Sequence, residues 1–507
     1  MNPLVQTRYG AVRGRAEGDV LAFRAIPFAR PPVGPLRWRA PQTPEPWTGE
    51  LDASDYGAPA PQRPGELSLV LGLDAAGASE DCLTVSVTTP AATGARPVLV
   101  WIHGGGFTTG APSLAAYDAA RLAARGDVVV VGVHYRLGAL GFAPLLGKDG
   151  QPVVPDGEPW SNFGMLDVLA ALEWVREHAA GFGGDPGQVT LFGESAGAMA
   201  IGTLLGMPRA SGHFHRAILQ SGAAESIHDR EQAARVAHAF FGLLGVDPSD
   251  RAALEAVPVE ALLDAQTQTL DAVWRDLPGL TFQPVIDGDL IPELPLAAVD
   301  AGQAREVALL LGTNRDENRL WSAFNPAHAA LDDEKLLRRA AVRLGEHAGL
   351  VTRQYRAESK SAAHAWDAME TDRMFAAPAH RLARAQARHG TDAYVYRFDW
   401  ASPAMEGALG ACHALEIPFV FGTHGDDRLA PLVGTGGSVA VLSDVMQEAW
   451  LAFAKSGDPS HPELGDWPCY AEPHHPVKVF GEQLLVEQRP FADREKLWDD
   501  FLGLPGA

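Results

Sequence analysis

Cysteine is nearly absent: Cys82, Cys412 and Cys469 are the only three in 507 residues. Three thiols with no metal-ligand spacing exclude a disulfide framework and a zinc site, and a reducing cytoplasm is the expected setting. Basic residues are scarce against acidic ones, 41 to 63, which leaves a formal charge of −22. Such a surplus repels phosphate backbones and anionic lipid headgroups, so neither nucleic-acid nor membrane binding is expected. It suits a monomer or weak homo-oligomer. No uninterrupted apolar run is long enough to span a bilayer. Met1-Asn2-Pro3-Leu4-Val5 shows neither the basic n-region nor the apolar h-region of a secretory signal, which again favours a cytoplasmic reading. Polar linkers and internal repeats are missing as well, so 1–507 reads as one large domain.

What the chain does contain is a series of buried-strand patterns. Pro97–Ile102 and Val128–Val133 are continuous apolar runs, as strands covered on both faces require. Shorter runs at 189–192, 217–219, 307–311 and 393–398 alternate with helical stretches such as 115–125 and 165–178. The alternation predicts an α/β fold with a large, mostly parallel central sheet flanked by helices. Glu17-Gly18-Asp19 reads as a hairpin turn, and Phe23 to Gly34 as a proline-rich loop that cannot pair as a central strand. Residues 60–78 read as a loop or short helix. Two helix-rich blocks, roughly 229–274 and 332–389, are expected as inserted cap regions.

Chemistry concentrates at Val189-Thr190-Leu191-Phe192-Gly193-Glu194-Ser195-Ala196-Gly197, where an apolar strand runs into a Gly-x-Ser-x-Gly turn and then into small helix formers. The flanking glycines permit a very sharp strand-to-helix turn that lifts a serine oxygen off the sheet, and the helix N-terminus aims its positive end at the same point. A nucleophilic serine needs a base, the base an orienting acid, and the intermediate needs oxyanion donors. His103-Gly104-Gly105-Gly106-Phe107, at the end of an apolar run, leaves backbone N–H groups unshielded, and the N–H of Ala196 is a further donor. Among 17 histidines, His413 sits in a Gly/Ala loop before an apolar run, a setting that by itself does not single it out. Asp316 and Glu317 follow the run at 307–311, where carboxylates reach the rim of an α/β site, and spacing leaves the two equal.

With these motifs the chain resembles the type-B carboxylesterases, a branch of the α/β-hydrolase fold that includes bacterial p-nitrobenzyl esterases and cholinesterases. The likeness runs from Phe23–Trp38 and Ser79–Leu83 through Asn162–Asp167, Phe182–Pro186 and Gln220–Gly222 to Trp450–Pro459. It implies Ser195 as nucleophile, His413 as general base and acid, and Glu317 rather than Asp316 as the orienting carboxylate. It also implies Gly105, Gly106 and Ala196 as oxyanion donors, Ser221 as a support behind the triad, and ion pairs Arg37–Glu80 and Arg136–Asp167. Cys412 reads as a small buried filler.

Departures from the family pattern narrow the expectation. Ala60 stands where many relatives carry a cysteine that pairs with the equivalent of Cys82, so that disulfide is not expected. Pro61–Asp81 holds no aromatic residue to stack on quaternary ammonium, so a choline ester is not the expected substrate. Asn318 replaces the usual glycine after the acid, and Phe28 the usual tyrosine. The implied reaction is serine carboxylic-ester hydrolysis through an acyl-enzyme, on uncharged apolar aryl or alkyl esters of short to medium acyl chain. No metal or organic cofactor is expected. Pockets are expected near Phe28, Phe107, Phe324 and Phe375. The same triad would serve a carbamate, aryl-amide or synthetic-diester hydrolase. An inactive binding module of the same fold is the reading from another class, and the intact Ser195, His413 and glycine run argue against it. A secreted or membrane-docked lipase is disfavoured by the missing signal and the charge.

Overall fold

Continuous apolar runs become central strands because both of their faces are covered. The computed structural model describes residues 2–65, 71–73, 75–274, 277 and 279–502, so the stretch 60–78 falls partly outside it. A small sheet joins β1 (Leu4–Gln6), β2 (Ala11–Arg13) and β5 (Glu50–Asp52). The central sheet takes β3 (Arg15–Glu17), β4 (Val20–Pro27), β6 (Thr84–Thr89), β7 (Arg96–Ile102), β8 (Val129–Val133) and β9 (Gly184–Glu194). It continues with β10 (Arg216–Gln220), β11 (Ala308–Asn314), β12 (Ala393–Phe398), β13 (Pro476–Phe480) and β14 (Leu485–Gln488). The spatial order is β14-β13-β12-β11-β10-β9-β7-β8-β6-β4-β3. From β8 to β13 neighbouring strands pair in parallel, and both margins are antiparallel.

Alternation along β7 feeds two cores at once. Val98, Val100 and Ile102 join one buried cluster, while Leu99 and Trp101 join the cluster on the opposite face. Successive connections leave β7 toward β8 and then return to its other side at β9. Ile102 of β7 therefore lies opposite Gly193 of β9, at the point where strand order reverses. Loops leaving neighbouring strand ends at such a point form a crevice. Here they are the glycine run and the Ser195 turn.

One expectation is corrected. Phe23 to Pro27 is not loop but the second half of β4, which pairs with β6 through a bulge between Phe23 and Ile26. Proline enters only at the last residue of the strand, where its missing N–H interrupts little of the ladder. The hairpin at Glu17–Val20 forms as expected between β3 and β4.

The block 229–274 holds helices Arg230–Leu244, Arg251–Ala256 and Val259–Val273. The block 332–389 holds Asp333–Leu344, Ala348–Glu358, Ala362–Thr371 and Ala377–Ala387, the last two joined by a π-helical turn at Asp372–Ala376. The second block packs with the C-terminal helix Ala492–Leu502 around a third hydrophobic cluster. Arg37 meets Glu80 at 2.6 Å and Arg136 meets Asp167 at 2.7 Å, both pairs largely buried. All three cysteines are free. Among the described residues, no helix is long and apolar enough to cross a membrane.

Candidate active site

Ser195 sits between β9 and the helix Ala196–Leu205 with φ 54° and ψ −124°, a conformation that a non-glycine residue adopts only under constraint. The constraint comes from crowding. A Cβ at Gly197 would lie 1.9 Å from the Ile102 carbonyl oxygen, and one at Gly193 would lie 2.7 Å from that same oxygen. The backbone is pinned on either side, with Ser195 N–H donating to Gln220 O at 2.8 Å and Met199 N–H donating to Ser195 O at 2.9 Å. Ala196 opens the helix, so its N–H has no acceptor within the helix.

The glycine run leaves β7 beside this turn. Gly105 (φ 109°), Gly106 (φ 60°) and Phe107 (φ 59°) all take left-handed conformations. A Cβ at Gly105 would fall 2.2 Å from Thr109 O, which makes glycine obligatory there. The loop closes on itself, because Thr108 and Thr109 N–H donate to Gly105 O at 3.1 and 3.0 Å.

His413 reaches the site from the loop after β12, and its Nδ1–H donates to Glu317 Oε2 at 2.6 Å. The second oxygen of Glu317 accepts from Ser221 Oγ at 2.6 Å and from the Asn314 N–H at 2.8 Å. Glu317, wholly buried, is thus held at both oxygens. Asp316, its equal on spacing, faces elsewhere: it pairs with Arg315 and Arg319 and accepts the Ala411 N–H at 3.0 Å, bracing the histidine loop by its main chain.

Ser195, Gly105, Gly106 and His413 line one cavity of about 790 Å³. Ala196 and Ser221 lie behind its wall, both buried. Apolar side chains dominate the lining, among them Leu280, Leu320, Trp321, Phe324, Met374 and Phe375. Of the four phenylalanines expected there, Phe324 and Phe375 take part and Phe28 and Phe107 do not. Phe107 follows two left-handed glycines and turns back into the core, its ring 5.0 Å from Phe142. Phe28 is buried in that core too.

Sequence reasoning missed three residues of the site: Trp321, Glu194 and Glu416. Trp321 and Phe375 each place a ring centroid 4.9 Å from the His413 imidazole. The signal available for Trp321 was its position one helical turn after Glu317. Glu194, the variable residue of the Gly-x-Ser pattern, brings Oε1 within 3.0 Å of His413 Nε2. Glu416, one turn after His413, accepts from Gln220 Nε2 at 3.0 Å and from Asn314 Nδ2 at 2.6 Å.

Three buried carboxylates around one imidazole shape its charge. Burial opposes protonation of His413, but Glu194 and Glu317 outweigh it and raise its pKa to about 9. Burial pushes Glu194 up to about 8, against the pull of His413. Glu416 is raised by burial and by Glu317. Among the described residues, no group of three or more His, Cys, Asp or Glu side chains is placed to hold a metal ion.

The profile of the Carboxylesterase family matches residues 1–498. The chain is 41% identical to the para-nitrobenzyl esterase of Bacillus subtilis (strain 168), covering 98% of both sequences. It is 36% identical to the phenmedipham hydrolase of Pseudarthrobacter oxydans, over 95% of each. A crystal structure of a Geobacillus stearothermophilus carboxylesterase superposes with a TM-score of 0.88 at 36% identity, covering 98% of this chain and 99% of that one. A profile spanning almost every residue, identity above one third over full-length relatives and a shared architecture leave one conclusion: the chain belongs to the carboxylesterase family, with the α/β-hydrolase fold.

Proposed function

We propose that this carboxylic ester hydrolase acts through an acyl-enzyme on Ser195. The supporting observation is the relay Ser221–Glu317–His413, whose imidazole lines the same cavity as a serine raised on a strained turn. His413 Nε2 takes the serine proton as Oγ attacks the ester carbonyl, and returns it to the departing alkoxide. Water then attacks the acyl carbon while giving a proton to the same nitrogen, and that proton passes to Ser195 Oγ as its bond to the acyl carbon breaks and the acid leaves. The N–H groups of Gly105, Gly106 and Ala196 receive the oxyanion, and Glu317 holds the ring upright and stabilises its charged form.

The substrates are uncharged apolar aryl or alkyl esters of short to medium acyl chain. A cavity of about 790 Å³ with this lining desolvates such groups and offers a free anion little. Arg63, a cation on its wall, is already paired with Glu260 and Asp264 at 2.8 Å each. The name of the Bacillus relative, an esterase of para-nitrobenzyl esters, agrees with an aryl component. Few and free cysteines suit a reducing cytoplasm.

Ser195→Ala tests the mechanism on p-nitrophenyl esters of rising acyl length. Turnover and the acyl-enzyme burst are both expected to vanish, while the wild-type chain-length optimum measures the acyl pocket. A mutant that keeps its rate excludes Ser195 as nucleophile.

A further inference from the structure

Gln62 is a buried side chain, 5% exposed, that the ester chemistry does not call upon. Its amide binds one residue of the glycine loop on both main-chain groups. Oε1 accepts the Gly110 N–H at 2.7 Å, and Nε2 donates to Gly110 O at 3.0 Å and to Ala60 O at 3.0 Å. The contact has the form of a strand pairing made by a single side chain, and it joins residues 48 apart in sequence.

Gly110 is the far end of the loop that carries Gly105 and Gly106. It lies flat against the start of that loop, since a Cβ there would fall 2.4 Å from Gly104 O and 2.5 Å from His103 Nδ1. Between the two ends the chain is a closed turn, tied by the bonds of Thr108 and Thr109 to Gly105 O. A closed turn moves as a body, so whatever fixes its end residues fixes the N–H vectors of its glycines. At the near end Tyr135 Oη donates to His103 O at 2.8 Å. In the middle Gly138 N–H donates to Phe107 O at 2.7 Å. At the far end the anchor is Gln62.

We infer that Gln62 is a positioning residue for the oxyanion hole, setting the N–H groups of Gly105 and Gly106 by clamping Gly110. The inference rests on the acyl-enzyme reading, because those donors matter only when a tetrahedral oxyanion forms. Donors of this kind work by being fixed before charge develops. A displacement of about 1 Å costs on the order of a hundredfold in rate. Loosening one anchor of three therefore costs about tenfold or more in kcat, and little in ground-state binding.

The test is Gln62→Met, which keeps the length and apolar volume of the side chain and removes all three bonds. Expected are a fall in kcat of about tenfold or more, KM within about twofold of wild type, and a parallel loss of affinity for a trifluoromethyl ketone, which forms a tetrahedral oxyanion adduct on the serine. The acid limb of the kcat/KM profile, set by His413, stays in place. Gln62→Glu keeps the acceptor facing Gly110 N–H and falls between the two. If Gln62→Met does not fold, the parallel loss of kcat and ketone affinity in Gln62→Glu decides the matter. A folded variant with a lowered melting temperature but kcat and ketone affinity within twofold of wild type overturns the inference and leaves Gln62 a packing residue. Failure of the underlying reading looks different: Ser195→Ala would then retain turnover, whatever Gln62 does.

Discussion

Glu194 presents its carboxylate, at 3.0 Å, to His413 Nε2, the ring nitrogen that accepts the serine proton in the proposed mechanism. A neutral imidazole is the working base, so a pKa raised to about 9 makes activity climb as pH rises through that value. The sign for a variant follows. Glu194→Gln removes a negative charge of the kind that holds the proton on, the pKa falls, and the climb begins at lower pH. A close opposite charge shifts a pKa by about one to three units, so the acid limb of kcat/KM moves down by about one pH unit or more. A pH series on one p-nitrophenyl ester reads this directly. An unmoved acid limb excludes Glu194 as the group that sets the charge of His413. Glu317 also raises the pKa of His413, but from Nδ1 rather than from the nitrogen that takes the serine proton: its Oε2 accepts the Nδ1–H and its Oε1 is occupied by Ser221 and Asn314.

At the scale of elements, the Ser195 turn depends on β7 as much as on its own glycines. Gly197 packs where a Cβ would stand 1.9 Å from Ile102 O and 2.8 Å from His103 O, and both contacts are backbone that cannot swing away. Gly197→Ala is expected to push the helix Ala196–Leu205 off the end of β7 and so separate the serine from the glycine run. Labelling of Ser195 by an organophosphorus ester then slows by about a hundredfold or more in whatever folded protein is recovered. Labelling at the wild-type rate would show that the turn tolerates the methyl.

This crowding is also why the Ser195 turn was legible in the sequence: two obligatory glycines, a buried strand and a helix of small residues leave a pattern. Strands β7 and β8 were legible for a related reason, since burial on both faces leaves few polar residues. β13 was not, because Pro476-Val477-Lys478-Val479-Phe480 is broken by a lysine whose buried amine is satisfied by Leu464 O at 2.8 Å. Strand β4 was obscured by the prolines that follow it. Spacing left Asp316 and Glu317 equal and the family resemblance favoured Glu317; in the fold Glu317 meets His413, while Asp316 turns to Arg315, Arg319 and the Ala411 N–H. The wrong phenylalanines have a backbone origin: φ 60° at Gly106 and φ 59° at Phe107 reverse the ring into the core, and no residue type announces that.

In the molecule as a whole, the described residues form three cores, two against the faces of the sheet and one among the helices of 332–389 and Ala492–Leu502. The third contains Trp498, which is fully buried, and its Nε1 donates to Tyr355 Oη at 2.8 Å. Arg384 grips Asp499 at 2.7 Å, and Arg494 reaches Asp372 at 2.7 Å, so the C-terminal helix closes this core from outside. The helix Ala362–Thr371 in turn carries the chain that follows Glu317: Asn318 Nδ2 donates to Asp367 Oδ1 at 2.8 Å, and Asn318 N–H to Thr371 Oγ1 at 3.2 Å. A separate core loosens separately. Trp498→Ala removes about 3–5 kcal/mol from it and almost nothing from the sheet. On heating, hydrogen exchange is expected to accelerate across 333–371 well before it does across β7 and β8. Ester turnover should fall in that first interval, because Asn318, next to the proposed triad acid Glu317, is bonded to a helix of the loosened core. Exchange that rises together in both regions would show instead that the sheet and the inserted helices unfold as one unit.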